Sequence, residues 1–223
     1  MSARVAAVVF DLYGTLLSIE TMREHVAAAG VGDAAGFVAE WRRKQLEYAF
    51  LCTLGQAYRD FDELTLLSLE QTCAQRRVEL DGSARRALAG AWRSMPPFGD
   101  VAAALRALAE RGIPLAVLTN GTPVSANAAL ERAGLRPLLA DVLSVEAVRA
   151  YKPDPRVYEL ATTRFACEPA AIAFVSSNAW DAWGAARFGF RVAWCNRASA
   201  PPEALQPAPE ATLAGLDELP AFI

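Results

Sequence analysis

The sequence predicts an α/β protein: a doubly wound, mostly parallel sheet with a helical subdomain inserted after the first strand. Three observations carry that reading. The chain opens on a short apolar run, Val5–Phe10; from residue 98 onward, runs rich in Val, Phe and Ile alternate with helical stretches; and residues 17–97 hold several helical periods but no convincing strand.

Taken in order, Val5–Phe10 is the first strand and ends in an acid, Asp11. Helical periods follow over Glu20–Ala29, Ala34–Thr53, Phe61–Arg77 and Ser83–Ser94, and Asp60 with Glu63 three residues on is a capping-box start. Pro96-Pro97 marks the return to strand–helix alternation. Asp100 can cap a helix over Val101–Arg111, which Gly112 stops. Leu115–Leu118 is the second strand. Pro123 opens a helix that ends at Gly134, and Pro155 opens another that runs to Phe165. Asp141–Val145, Ala171–Val175 and Arg191–Cys195 supply three more strands, with a helix after Asp181 that stops at Gly189. Ala200–Pro209 is a surface loop before a short terminal element, Ala211–Ile223. The expected division is a Rossmann-like core of residues 1–16 and 98–223, and a helical cap of residues 17–97.

Composition narrows the function. A net charge of -3 with no basic stripe argues against nucleic acid as a partner. No run approaches the ~18 apolar residues of a spanning helix, and Val5–Phe10 is too short for a signal segment. The four cysteines form no CxxC pair and read as reduced residues of a cytoplasmic protein. The single histidine, His25, falls on a polar helix face, so a Ser-His-Asp triad has no base to use.

In an open parallel sheet, ligands bind outside the carboxyl ends of the strands, so the residues that follow each strand test for a site. Strand one delivers Asp11, in Asp11-Leu12-Tyr13-Gly14-Thr15. Strand two ends in Thr119-Asn120-Gly121. Strand three is followed by Tyr151-Lys152-Pro153-Asp154, and strand four by Ser176-Ser177-Asn178-Ala179-Trp180-Asp181. Each piece alone has an ordinary turn or cap explanation. Together they deliver a carboxylate, a hydroxyl, an ammonium and a polar loop to one edge.

In this order, these motifs resemble the haloacid dehalogenase (HAD) superfamily, and within it the L-2-haloacid dehalogenases. The insert matches too, through Trp41-Arg42-Arg43-Lys44-Gln45-Leu46-Glu47-Tyr48. The superfamily's phosphatases carry an acid two residues after the nucleophile, where this chain has Tyr13, and acids in the last motif that hold Mg²⁺, one of which falls on Ser177 here. With a phenol and a hydroxyl in place of hard carboxylate ligands, neither a metal nor another cofactor is expected.

The resemblance implies a mechanism. Asp11 would attack C2 of a short (S)-2-haloacid, forming an ester that water hydrolyses to an (R)-2-hydroxy acid. Two anions ~4 Å apart repel by about 4 kcal/mol at an effective dielectric near 20, so cations must stand close. Lys152 and Arg42 are the candidates. Arg42 lies on a helix where Arg42, Leu46, Ala49 and Thr53 recur at helical spacing. The resemblance places its guanidinium with Asn120 and Trp180 around the halide, and Tyr13, Leu46 and Phe61 as an apolar wall. Thr119, with backbone near Leu12, Tyr13 and Asn120, would take the substrate carboxylate. Related enzymes more often carry Ser at that position. Thr15, Tyr158, Ser176 and Asn178 would position Asp11 and Lys152, and Asp181 would orient the hydrolytic water. The expected partners are the 2-haloacid itself and a second copy of the chain in a homodimer, with no membrane. The alternatives are a phosphatase of the same fold, a dehalogenase specialised for haloacetates including fluoroacetate, and a catalytically silent interaction protein.

Overall fold

In the computed structural model the described residues are 5–223; residues 1–4, assigned above to the core, lie outside them. The strands are β1 (Ala7–Phe10), β2 (Leu115–Thr119), β3 (Asp141–Ser144), β4 (Ile172–Ser176), β5 (Arg191–Cys195) and β6 (Ala211–Leu213). They form one sheet in the order β3-β2-β1-β4-β5-β6, and every neighbouring pair is parallel. The three central strands are buried along their whole length, which is why they read as unbroken apolar runs. The chain order turns back between β1 and β4. That switch point opens a crevice at their carboxyl ends, and Asp11 stands directly on it.

The sheet is covered on both faces. Val8 and Phe10 of β1 join one core cluster, and Ala7 and Val9 join the other. This is the alternation that a pleated strand imposes. Helices α1 (Met22–Ala28), α2 (Ala34–Leu54), α3 (Phe61–Arg76) and α4 (Gly82–Ala91) run between β1 and α5 (Val101–Glu110). They contribute to both clusters, through Phe37, Trp41 and Leu69 on one side and Ala49, Phe61 and Leu64 on the other. The two chain crossings at the base of this segment are paired, with Ser18 N donating to Pro96 O at 2.8 Å and Phe98 N to Leu16 O at 3.1 Å. The remaining helices are α6 (Pro123–Arg132), α7 (Pro155–Phe165), α8 (Ala179–Phe188) and α9 (Leu219–Phe222).

Four details differ from the sequence-based expectation. Asp100 does not cap α5. Its carboxylate is taken by the Arg197 guanidinium at 2.6 and 3.0 Å and by Leu216 N at 2.7 Å, charge-assisted bonds that outcompete a cap. The terminal element contains the edge strand β6. The helix after β4 starts at Ala179, so Trp180 and Asp181 stand on its first turn rather than in a loop. At Asp60 only half of the capping box forms: Asp60 accepts from Glu63 N at 2.8 Å, while the Glu63 carboxylate pairs with Arg59.

Candidate active site

The turn after β1 explains how Asp11 is held. Gly14 has φ +93°, a conformation that a side chain would strain. The turn it permits brings Thr15 back, and Thr15 Oγ1 donates to Asp11 Oδ2 at 3.0 Å. Thr15 Oγ1 in turn accepts from Ser177 N at 2.8 Å, which ties the β1 turn to the β4 turn across the crevice. Asn178 Nδ2 donates to Asp11 Oδ2 at 2.9 Å. Lys152 Nζ donates to Asp11 Oδ1 at 3.1 Å. The Asp11 carboxylate is thus oriented by three donors from three strand ends.

Lys152 is fully buried, and its ammonium also donates to Asp181 Oδ2 at 2.9 Å. Burial alone would lower its pKa. The charges of Asp11 and Asp181 outweigh that effect and raise it above the ordinary lysine value. Asp181, also fully buried, is pushed upward by its own desolvation, opposed by Lys152. Tyr158 donates to Asp181 Oδ1 at 2.8 Å. Burial raises the Tyr158 phenol well above its usual range, so it stays a donor. Gly184 on α8 makes that contact feasible, because a Cβ there would stand 2.5 Å from the Tyr158 oxygen.

On the other side of Asp11, α2 supplies Arg42. Desolvation lowers its pKa, while the charge of Asp11 opposes the shift, so the guanidinium lies within electrostatic reach of that carboxylate. It stands 5.6 Å from the centre of the Trp92 ring. Trp92 meets Tyr13 edge-on, with centroids 5.7 Å apart. Burial, first among several effects, raises the Tyr13 phenol above its ordinary value and keeps it protonated. Among the described residues, no three of His, Cys, Asp and Glu converge as a metal site.

Comparison of the whole chain with known proteins shows its family. Residues 5–189 match the haloacid dehalogenase-like hydrolases. The chain is 43% identical to an (S)-2-haloacid dehalogenase of Pseudomonas sp. (strain YL), over 86% of this chain and 83% of that one. It is 36% identical to haloacetate dehalogenase H-2 of Moraxella sp. (strain B), over 97% and 96%. The chain belongs to the haloacid dehalogenases. Among solved structures in this family, an L-2-haloacid dehalogenase superposes with a TM-score of 0.96 at 37% identity, covering 99% of each chain. The L-2-haloacid dehalogenase of Xanthobacter autotrophicus with chloropropionic acid covalently bound gives 0.92 at 33% identity, over 98% of both chains.

Within this haloacid dehalogenase frame, Asp11, Thr15, Lys152 and Asn178 come together directly. Asp181 joins them one step removed, through Lys152, and Tyr158 one step further, through Asp181. Ser176 was expected to position Asp11 and Lys152. Its hydroxyl instead serves its own loop, accepting from Asn178 N at 3.1 Å. The Asn120 side chain is partly engaged, since its Oδ1 accepts from Lys152 N at 3.1 Å. Thr119 Oγ1 accepts from Gly121 N at 3.0 Å, which shapes the turn after β2. Leu12, in the turn after β1, is fully buried. Leu46 is half-buried on α2. Phe61 is buried against Tyr151, with ring centroids 5.7 Å apart. Trp180 is half-buried and meets Phe50 edge-on. With Phe50, Leu54, Tyr151 and Trp183 it lines an apolar groove of about 520 Å³ that does not include Asp11. Arg43 is exposed and pairs with Glu47. Sequence reasoning passed over Gln45, Thr65 and Trp92. Gln45 sits within the motif that carried the resemblance, but nothing in the sequence says what it touches.

Proposed function

We propose that the chain hydrolyses short (S)-2-haloalkanoic acids to (R)-2-hydroxyalkanoic acids through an ester on Asp11, without a metal ion. The observation that carries this reading is the Asp11 carboxylate itself: three donors fix it, and one of them is the fully buried ammonium of Lys152. An Asp11 oxygen attacks C2 from the side opposite the halogen, the C–O bond forms as the carbon–halogen bond breaks, and halide leaves with the bonding pair. Water then adds to the Asp11 carbonyl, the ester C–O bond to Asp11 breaks, and the hydroxy acid departs with the original carboxylate oxygen.

The remaining residues divide the work. Arg42 and the amide of Asn120 receive the charge that develops on the halide. Thr119 and the backbone around Leu12 and Tyr13 hold the substrate carboxylate. Tyr13, Leu46 and Phe61 wall the site from bulk water. Tyr158 orients Asp181, and Asp181 with Lys152 steers the hydrolytic water. The helical segment 17–97 acts as the cap that delivers Arg42, and exposed Leu51 and Leu54 at the end of α2 support a homodimer through it. Metal independence is supported by the residues: Tyr13 and Ser177 stand where a phosphatase of this fold carries acids, and the Lys152 ammonium already supplies the positive charge beside Asp11.

Specialisation for haloacetates is a second reading. It is favoured by the added methyl of Thr119, a fully buried residue beside the site, and by the likeness to a haloacetate dehalogenase. The test is halide release from (S)- and (R)-2-chloropropionate and from chloro- and fluoroacetate, with and without EDTA. The expected result is release from the S acid that EDTA leaves unchanged and that Asp11→Asn abolishes. Absence of release from every acid, or turnover lost with EDTA, would overturn the reading.

A further inference from the structure

Arg42 is the one cation that the helical segment brings to Asp11, and a long guanidinium on a helix needs something to aim it. Gln45, one turn on in α2, is fully buried and is bonded on both ends of its amide. Arg42 Nη1 donates to Gln45 Oε1 at 2.6 Å. Gln45 Nε2 donates to Thr65 Oγ1 of α3 at 2.6 Å. Thr65 Oγ1 in turn donates its only proton to Phe61 O at 2.7 Å. The hydrogen-bond directions leave a single solution. A hydroxyl has one proton, and Thr65 spends it on the Phe61 carbonyl, so towards Gln45 it can only accept. The Gln45 amide must then turn its NH₂ to Thr65 and its carbonyl to Arg42. A flipped amide would set its carbonyl against an oxygen lone pair and its NH₂ against guanidinium N–H groups, in a place that water does not reach.

We propose that Gln45, locked by Thr65, is the positioning residue that aims the Arg42 guanidinium at the leaving halide. The relay runs from the Phe61 backbone through Thr65 and Gln45 to Arg42, with the Trp92 ring flanking the guanidinium. It uses a neutral amide where a carboxylate would also bind Arg42. That choice has an electrostatic consequence: the carbonyl holds the guanidinium without cancelling its charge, so the full cation remains for the departing halide. This inference rests on the dehalogenase reading.

The test compares kcat/KM for (S)-2-chloropropionate and (S)-2-bromopropionate, because kcat/KM covers the steps up to halide departure. Chloride is the poorer leaving group and depends more on Arg42. Gln45→Met keeps the volume and removes both bonds. It should lower the chloride rate about ten- to hundredfold and the bromide rate less, so that the bromide-to-chloride ratio rises. Gln45→Glu keeps Arg42 held but neutralises it, and should raise the ratio as well. Thr65→Val should raise it, and Thr65→Ser, which keeps the hydroxyl, should restore it. Halide release by the unaltered chain in the same assay separates a failure of this inference from a failure of the dehalogenase reading. If Gln45→Met fails to fold, the Thr65 pair decides. Equal losses for both halides, unchanged rates, or a Thr65→Ser variant that behaves like Thr65→Val would overturn the proposal.

Discussion

Lys152 Nζ lies 3.1 Å from Asp11 Oδ1, and no part of the lysine reaches solvent. It answers two carboxylates at once, because Asp181 Oδ2 stands 2.9 Å away on its other side. Removing the ammonium leaves two buried anions facing each other, a change that typically costs ~3–5 kcal/mol. Lys152→Met should therefore lose both turnover and stability. Urea denaturation of the variant checks the second effect, and a midpoint equal to that of the unaltered chain would contradict it.

The pH dependence follows from the direction of the lysine shift. Asp11 and Asp181 outweigh burial and raise the Lys152 pKa above 10.5. A group raised on folding contributes stability that is fully present below its unfolded pKa and is lost as pH rises through its folded value. From about pH 7 to about pH 10 that contribution should stay constant. The difference in unfolding free energy between the unaltered chain and Lys152→Met should be flat over this interval and shrink only above it; a difference that grows with pH over the interval would show a depressed lysine and contradict the account.

Gly184 gives a steric prediction. A Cβ there would meet the Tyr158 oxygen at 2.5 Å and Pro153 Cβ at 2.6 Å, closer than atoms can stand. Gly184→Ala must displace the tyrosine from Asp181, at a cost of about 1–3 kcal/mol for overpacking. Turnover should fall although the residue touches no substrate. Tyr158→Phe, which removes the same hydrogen bond without crowding, should reproduce the activity loss with a smaller drop in melting temperature.

Asp62 clasps the helical segment to the core. From the first turn of α3 it accepts from Ser125 Oγ at 2.7 Å, Thr122 Oγ1 at 3.1 Å and Arg93 Nη2 at 3.0 Å. The ion pair is 40–47% exposed, so its Coulombic share is small and the hydroxyl bonds matter more. Asp62→Ala should cost about 1–2 kcal/mol in urea unfolding, and hydrogen exchange should quicken at the start of α3 and of α6. Unchanged exchange at both places would remove the clasp from the account.

Much of this was readable in the chain because buried parallel strands leave a plain signal. β1, β2 and β4 are apolar up to their carboxyl ends, so the polar residues there stand out, and Asp11, Thr119 and Ser176 could be placed at one sheet edge. The helical segment was readable from its periods and from Asp60. What escaped depends on contacts between distant residues. β6 is three residues long at the sheet edge and only partly buried, so no apolar run marks it. Asp100 precedes a helix as a cap should, yet Arg197, far along the chain, claims it. Gln45 and Thr65 are polar residues on two helices that meet face to face. Their bond is invisible until α2 and α3 are packed together.

The central claim is that Asp11 is the nucleophile, and oxygen tracing tests it most directly. In a single turnover in ¹⁸O-water with enzyme in excess, the ester route predicts unlabelled 2-hydroxypropionate and an Asp11-containing peptide heavier by one ¹⁸O-for-¹⁶O exchange. A product that carries ¹⁸O from the first turnover, with Asp11 unlabelled, would mean that water attacks carbon directly, and the account would be wrong.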